Sequence, residues 1–271
     1  MECRVSKKGI DKVNIKDEKT ALITGATSGI GEAFARKFAS EGYNLIITGR
    51  REEKLNLLAT KLKNEFHVNV DTIIIELSDL EKVDMMIERI KDKFISVLVN
   101  NAGFGTKDLF INEDFEVQQQ MVNVHVLCSM KLIYALLPRM VENDNGLIIN
   151  LSSQSAFLPI KRNATYSGTK AFLKVFSEVI HLETMNTNVK IQVLCPGFVR
   201  SDFHEKMGST RSKKNKGIFV RWMTPEQVVN ISLRDIKKDK LVCKPGFFEN
   251  LGMNLLTLLP KSIYYKMALK F

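Results

Sequence analysis

TALITGATSGIG, residues 20–31, joins a short apolar run to a glycine-rich segment, and Ile30, Ala33, Phe34, Lys37 and Phe38 follow at helical spacing. An apolar strand that ends in glycines and opens a helix is the first half of a βαβ unit. Gly25, Gly29 and Gly31 lie in the turn, where the missing side chain lets backbone amides approach a phosphate and lets helix pack on strand. The partial positive charge of the helix N-terminus adds to that attraction. The spacing is G-x-x-x-G-x-G rather than the common G-x-G-x-x-G. The prediction of dinucleotide binding therefore rests on the place of the glycines between strand and helix, not on a literal motif.

Outward from this turn the alternation continues. YNLIITG (43–49) reads as a second strand and EEKLNLLATKLKNEF (52–66) as an amphipathic helix. VDTIIIEL (70–77) is a third strand, followed by a helix from about Asp79 to Phe94, and SVLVNNAG (96–103) is a fourth strand with its exit loop. One long helix is expected over roughly 113–141, capped by Asn112. GLIINLSS (146–153) is a fifth strand, the helix carrying Tyr166 runs to about Met185, and VKIQVLCPG (189–197) is a sixth. Thr224 and Pro225 have the look of an N-cap and first helical residue, and DKLVCKPG (239–246) is a seventh strand. The fold class predicted is α/β: a single doubly wound Rossmann-type domain with a seven-stranded, mainly parallel sheet flanked by helices. Residues 1–18 read as a charged N-terminal arm, 19–246 as the catalytic domain with a substrate loop at 198–223, and 247–271 as an amphipathic C-terminal extension.

The end of the second strand bears on the cofactor. An NAD site usually has an acid there; this chain has Gly49 followed by Arg50 and Arg51. A guanidinium fork in place of a carboxylate suits the 2′-phosphate of NADP.

SSQSAFLPIKRNATYSGTK, from Ser152 to Lys170, is the stretch with chemistry in it. Tyr166 and Lys170 are four apart, so a helix stacks them on one face. An ammonium beside a phenol favours the phenolate and is expected to lower its pKa toward a useful value. With Ser153 delivered from the end of the preceding strand, hydroxyl, phenol and ammonium can polarise and protonate a carbonyl oxygen.

Size and composition agree with a single large-cored domain: 271 residues, 45% apolar and 26% charged. The net charge of +10 is concentrated at Lys206–Arg221, which holds six basic residues and no acidic one. No aromatic residues interleave a basic stripe, so nucleic acid is not an expected partner. Cys3, Cys128, Cys195 and Cys243 form no C-x-x-C pair, and the apolar surroundings of Cys128 and Cys195 suit reduced thiols and a cytoplasmic location. His67, His125, His181 and His204 show no metal-ligand spacing; no metal is expected, and His125 is assigned to the core or an interface. No stretch approaches 18 uninterrupted apolar residues, so no membrane-spanning helix is expected.

With these pieces in order, the chain resembles the short-chain dehydrogenase/reductase family over about 19–246. The matching segments are TGATSGIG (24–31), NNAG (100–103), Asn123 in MVNVHV, Ser153 in NLSSQSA, YSGTK (166–170) and PGFVRSDF (196–203). The resemblance implies that Tyr166 is the acid/base residue, Lys170 its partner and holder of the nicotinamide ribose, and Ser153 the group that orients the carbonyl. Asn123 would kink the long helix and hold a water for proton relay to Lys170. Thr27, Ser28 and Ile30 would join the three glycines around the phosphates. Asn101, Ala102 and Gly103 would line the adenosine side, Glu76 and Leu77 the adenine, and Pro196, Gly197, Val199 and Ser201 the nicotinamide. Ser201 stands where the pattern usually has Thr, and Glu76 where it has Asp. The implied activity is NADP(H)-dependent hydride transfer to or from an apolar ketone or secondary alcohol such as a hydroxysteroid or bile acid, the substrate having room for an anionic end. Reduction of a 3-ketoacyl thioester is the enzymatic alternative, and an NADP-sensing or scaffold role the non-enzymatic one. Homodimer or homotetramer assembly is expected from the resemblance. The tail FFENLGMNLLTLLPKSIYYKMALKF, apolar at 15 of 25 positions, reads as two short helices broken at Pro260. Docking on its own domain or a neighbouring subunit is preferred over contact with a membrane surface.

Overall fold

A computed structural model describes residues 19–106, 108–201, 222–246 and 260–268. The N-terminal arm, most of the substrate loop and the first half of the tail lie outside the described residues.

Strands β1 (Thr20–Ile23), β2 (Asn44–Gly49), β3 (Val70–Ile74), β4 (Val97–Asn100), β5 (Gly146–Leu151), β6 (Val189–Leu194) and β7 (Val242–Cys243) form one sheet in the order 3-2-1-4-5-6-7. Every pairing is parallel. Such a sheet is covered on both faces, so its strands are apolar throughout rather than alternating. In β1 the side chains of Ala21 and Ile23 enter one core cluster and Leu22 the other, and in β2 Leu45 and Ile47 part from Ile46 in the same way. Helices α1 (Gly29–Ser40) and α2 (Glu52–Phe66), with Pro225–Ile236, cover the first face. Helices α3 (Leu80–Ile90) and α5 (Cys128–Glu142) cover the second. Phe34 and Phe38 of α1 stack with ring centroids 5.9 Å apart; burial of each such side chain stabilises the fold by ~1.5–3 kcal/mol.

Strand order reverses between β1 and β4, which leaves a crevice at the carboxyl ends of those strands. The Thr224 N-cap is as expected: its side chain accepts from Gln227 N–H while Gln227 returns a bond to the Thr224 backbone, with Pro225 next in the helix.

The structure corrects several element boundaries. The third strand stops at Ile74, so Glu76 and Leu77 lie beyond it, and the seventh is two residues long. The expected single helix over 113–141 is α4 (Phe115–Val122), a π-helical turn Asn123–Leu127, and α5. Its cap is Asp114, whose carboxylate accepts from Glu116 N–H at 2.9 Å; Asn112 sits one turn earlier in a 3₁₀ segment. A carboxylate is the better cap because it also complements the helix dipole. By length and composition the run Phe115–Glu142 could cross a membrane, contrary to the expectation from uninterrupted apolar stretches, yet half of its most apolar window is buried inside the domain. Of the tail, Lys261–Ala268 is a helix directly after Pro260, and the Tyr264 hydroxyl donates to Pro159 O at 2.6 Å. That bond joins the tail helix to the segment between β5 and the Tyr166 helix.

Candidate active site

The crevice opens into a cleft of about 680 Å³, lined from one side by the glycine turn and from the other by β5 and the helix α6 (Ala164–Glu183). Gly25 and Gly29 have φ of +67° and +59°, the left-handed region that costs other residues about 1 kcal/mol or more. A Cβ on Gly31 would lie 2.4 Å from both Gly25 O and Asn101 Nδ2. Close approach of backbone to backbone is thus what these glycines provide, and Gly29 and Ile30 of the first turn of α1, where N–H groups lack intrahelical partners, line the cleft. The cradle fits a dinucleotide phosphate.

Asn101 staples the turn: its N–H donates to Thr24 Oγ1 at 3.0 Å and its amide to Thr24 O at 2.9 Å and Gly25 O at 3.1 Å. It lines the cleft together with Ala102 and Gly103, but its amide is engaged by the turn.

The two arginines part company. Arg50 pairs with Glu76 at 2.9 Å. Burial would raise the Glu76 carboxyl, but that guanidinium and the Ser78 N–H outweigh it and hold the pKa below the ordinary value. Arg51 donates from Nη2 to Thr27 Oγ1 at 2.7 Å and to Ser28 Oγ at 2.9 Å, so its fork sits on the glycine turn itself. Glu76, Leu77 and both arginines line the cleft.

On the opposite wall, Ser153 follows β5 and caps a 3₁₀ turn by accepting from Ser155 N–H at 3.2 Å. It is also hydrogen-bonded to the Tyr166 phenol, and Lys170, one turn along α6, is 4% exposed and donates to Leu151 O at 2.7 Å. Ser153, Tyr166 and Lys170 are thereby brought together in the cleft that also holds the glycine turn. The electrostatics differ from the expectation. Burial pushes the Tyr166 phenol up to about 12 despite the Ser153 bond, and pushes the Lys170 ammonium down to about 7. Desolvation of both groups exceeds the attraction between them.

Asn123 opens the π-helical turn, where a kink in the helix is expected. Its amide donates to Ser78 O at 2.9 Å and ties the helix to the β3–α3 loop. Thr27, Ser28, Ile30, Pro196, Gly197, Val199 and Ser201 all line the cleft. His125 is a core residue, as expected, with 1% exposure, and Cys128, Cys195 and Cys243 are buried free thiols. Sequence reasoning missed Gln154, Ser155 and Asn163. All three line the cleft, and Gln154 Nε2, Ser155 Oγ and Asn163 Oδ1 are buried without a hydrogen-bond partner among the described residues. They stand within the Ser152–Lys170 stretch, but only the folded loop 154–163 turns them inward. No group of three or more potential metal ligands occurs among the described residues.

Residues 19–212 match the family model for short chain dehydrogenases. The chain belongs to the short-chain dehydrogenase family. It is 33% identical over 184 residues to an uncharacterized oxidoreductase of Staphylococcus saprophyticus, an alignment that spans 67% of this chain and 79% of the relative. It is 32% identical over 205 residues to the very-long-chain 3-oxoacyl-CoA reductase of Mus musculus, over 74% of this chain and 66% of that longer one. Among solved structures, a short-chain dehydrogenase from Sphingobium yanoikuyae in complex with NADPH superimposes with a TM-score of 0.79 at 25% identity, covering 89% of this chain and 96% of that one. The chain is an oxidoreductase.

Proposed function

We propose that this short-chain dehydrogenase is an NADP(H)-dependent carbonyl reductase, reversible as an alcohol dehydrogenase, for an apolar ketone or secondary alcohol. The observation that carries the reading is the meeting of Ser153, Tyr166 and Lys170 in one cleft with a glycine turn that bears the Arg51 fork. A bound reduced nicotinamide supplies hydride to the carbonyl carbon. The protein's part is to hold and protonate the oxygen. The Tyr166 phenol, kept protonated by burial, donates its proton to that oxygen, and the Ser153 hydroxyl hydrogen-bonds it. Lys170, anchored on Leu151 O, orients the ribose and returns a proton toward Tyr166 between turnovers. The role of Asn123 in that relay falls to its backbone at the π-helical turn rather than to its amide. Arg51 takes the 2′-phosphate, while Arg50, engaged with Glu76, frames the adenine.

Phe104, Ile160 and Phe198 give the substrate side of the cleft its apolar character, which suits a hydroxysteroid or bile acid. A 3-ketoacyl thioester is the second reading, favoured by the relative named as a very-long-chain 3-oxoacyl-CoA reductase. Assembly as a homodimer or homotetramer is part of the proposal. Phe172, Val175, Val179 and Leu182 form an exposed apolar stripe along α6, and Tyr134 of α5 is 86% exposed. Three buried free thiols fit a cytoplasmic location.

Consumption of NADPH and of NADH by the purified protein over steroid ketones and 3-oxoacyl thioesters tests the reading. NADPH-dependent turnover of an apolar ketone is expected; no turnover and no binding of either dinucleotide would overturn it. Arg51→Ala should weaken NADPH binding by ~10–100-fold and leave NADH unchanged, since a hydrogen bond to a charged group contributes about 1.5–3 kcal/mol.

A further inference from the structure

Val124, His125 and Val126 are consecutive and all buried. They stand in the π-helical turn Asn123–Leu127, an irregularity often found at functional sites. The imidazole there has a partner on each side. Phe104 N–H donates to Nε2 at 3.1 Å. A backbone N–H can only donate, so Nε2 carries no proton and the neutral ring holds its proton on Nδ1. Nδ1–H then donates to Thr169 Oγ1 at 2.9 Å, and the single hydroxyl proton of Thr169 goes to Tyr166 O at 2.9 Å. Each donor has one acceptor and the chain closes without a spare proton. The ring also stands edge-on to the Tyr166 phenol ring, centroids 5.8 Å apart at 77°, and a Cβ on Gly103 would lie 2.6 Å from Nε2.

We propose that His125, as its Nδ1–H tautomer, is a positioning residue that struts the Asn101–Gly103 loop against the first turn of α6 and, through Thr169, fixes where the Tyr166 phenol stands. The inference rests on the reading of Tyr166 as the proton donor. It also explains the packing of the loop: Gly103 and the imidazole meet face to face, and a side chain at 103 would push the strut out. Protonation would set an Nε2–H against the Phe104 N–H. The groups facing the ring from α6 are the Tyr166 phenol, the Thr169 hydroxyl and the Lys170 ammonium; from the loop it meets the Phe104 N–H and the Phe104 ring, centroids 6.0 Å apart, neither of which titrates. Burial first, then the Lys170 charge, hold its pKa well below the ordinary 6.5.

Two-bond proton–nitrogen NMR spectra of the wild-type protein read the strut without any turnover. His125 should show the Nδ1–H pattern and keep it through the pH range in which an exposed histidine becomes protonated. Kinetics supply the second readout. Thr169→Val keeps the shape but removes both hydroxyl bonds, and turnover should fall ~10-fold or more because a small misplacement of a reacting group is costly. KM and dinucleotide affinity should hold within about two-fold, since the substitution leaves the glycine turn, Arg51 and the Lys170 side chain in place. His125→Asn, which keeps a donor on the Nδ1 side, should retain more turnover than His125→Gln. An Nε2–H tautomer, titration of His125 near its ordinary pKa, or a Thr169→Val enzyme with unchanged turnover would each overturn the proposal. Wild-type protein inert toward every carbonyl tested would sink the reductase reading instead, and the spectra would still report the tautomer.

Discussion

Where β1 meets α1 the cleft wall is set by shape, and across the cleft, where β5 meets α6, it is set by the burial of polar and ionisable groups. On the first wall a single added methyl at Gly31 would strike a carbonyl oxygen at 2.4 Å, and the polar groups present are paired among themselves: Asn101 with Thr24 and Gly25, Arg51 with Thr27 and Ser28. On the second wall Gln154 Nε2, Ser155 Oγ and Asn163 Oδ1 lack partners among the described residues, at a cost of roughly 1–3 kcal/mol each, and the pKa values of Tyr166 and Lys170 are pushed toward neutrality of both groups. A wall that must recognise the same ligand every time can be satisfied in advance. One that must exchange protons keeps groups whose best partners arrive with the reaction.

The difference can be broken from either side. Tyr166→Phe removes the acid from the reactive wall and leaves the cradle intact, so turnover should drop ~10²–10⁴-fold while the dinucleotide still binds. Rapid-mixing kinetics paired with calorimetric titration separates the two, and a variant at near wild-type rate would show that the proton comes from elsewhere. Gly31→Ala attacks the other wall. Backbone must yield to the methyl, so stability should fall by ~1–3 kcal/mol and dinucleotide affinity with it. A thermally unaffected Gly31→Ala protein that binds normally would mean the turn is looser than its contacts indicate.

The third effect is smaller and has a definite sign. The folded-state pKa of Lys170, about 7, lies below its ordinary 10.5, so between those values the unfolded chain binds more protons and stability rises with pH. Below pH 7 the full penalty of a buried ammonium is present. The buried thiols of Cys128 and Cys195, raised from 9.0 to about 12, act in the opposite sense above pH 9, which leaves the interval between pH 7 and 9 to Lys170. Denaturant unfolding there should show a slope of at most about 1.4 kcal/mol per pH unit, and Lys170→Met should abolish it. An equal slope in the variant would assign the linkage to another group. Smallest is Tyr264→Phe, which frees the tail helix from Pro159 O and should cost ~0.5–1.5 kcal/mol at most, with a change in KM rather than kcat. Parallel loss of both would tie the tail to the reactive wall itself.

Much of the second wall was legible because its information is local. The four-residue interval between Tyr166 and Lys170 places them on one helix face wherever that helix goes, and Ser153 at a strand end can reach only the crevice beside it. Legibility fails where a partner comes from far along the chain. Arg50 and Arg51 look alike in the sequence, yet Glu76 claims one and the Thr27 and Ser28 hydroxyls the other. The bond from the Asn123 amide to Ser78 O, across a separation of 45 residues, is another that no local pattern announces.

Read alone, the alternation of apolar runs, helical patterns and caps points to a parallel α/β sheet, and the glycine turn after the first strand to the doubly wound form, because each feature acts within a few residues of itself. Which protons the buried groups keep was beyond it. Desolvation is summed over every segment that packs on a side chain, and for Tyr166, Lys170 and His125 that sum, rather than the nearest neighbour in the chain, sets the state in which they stand.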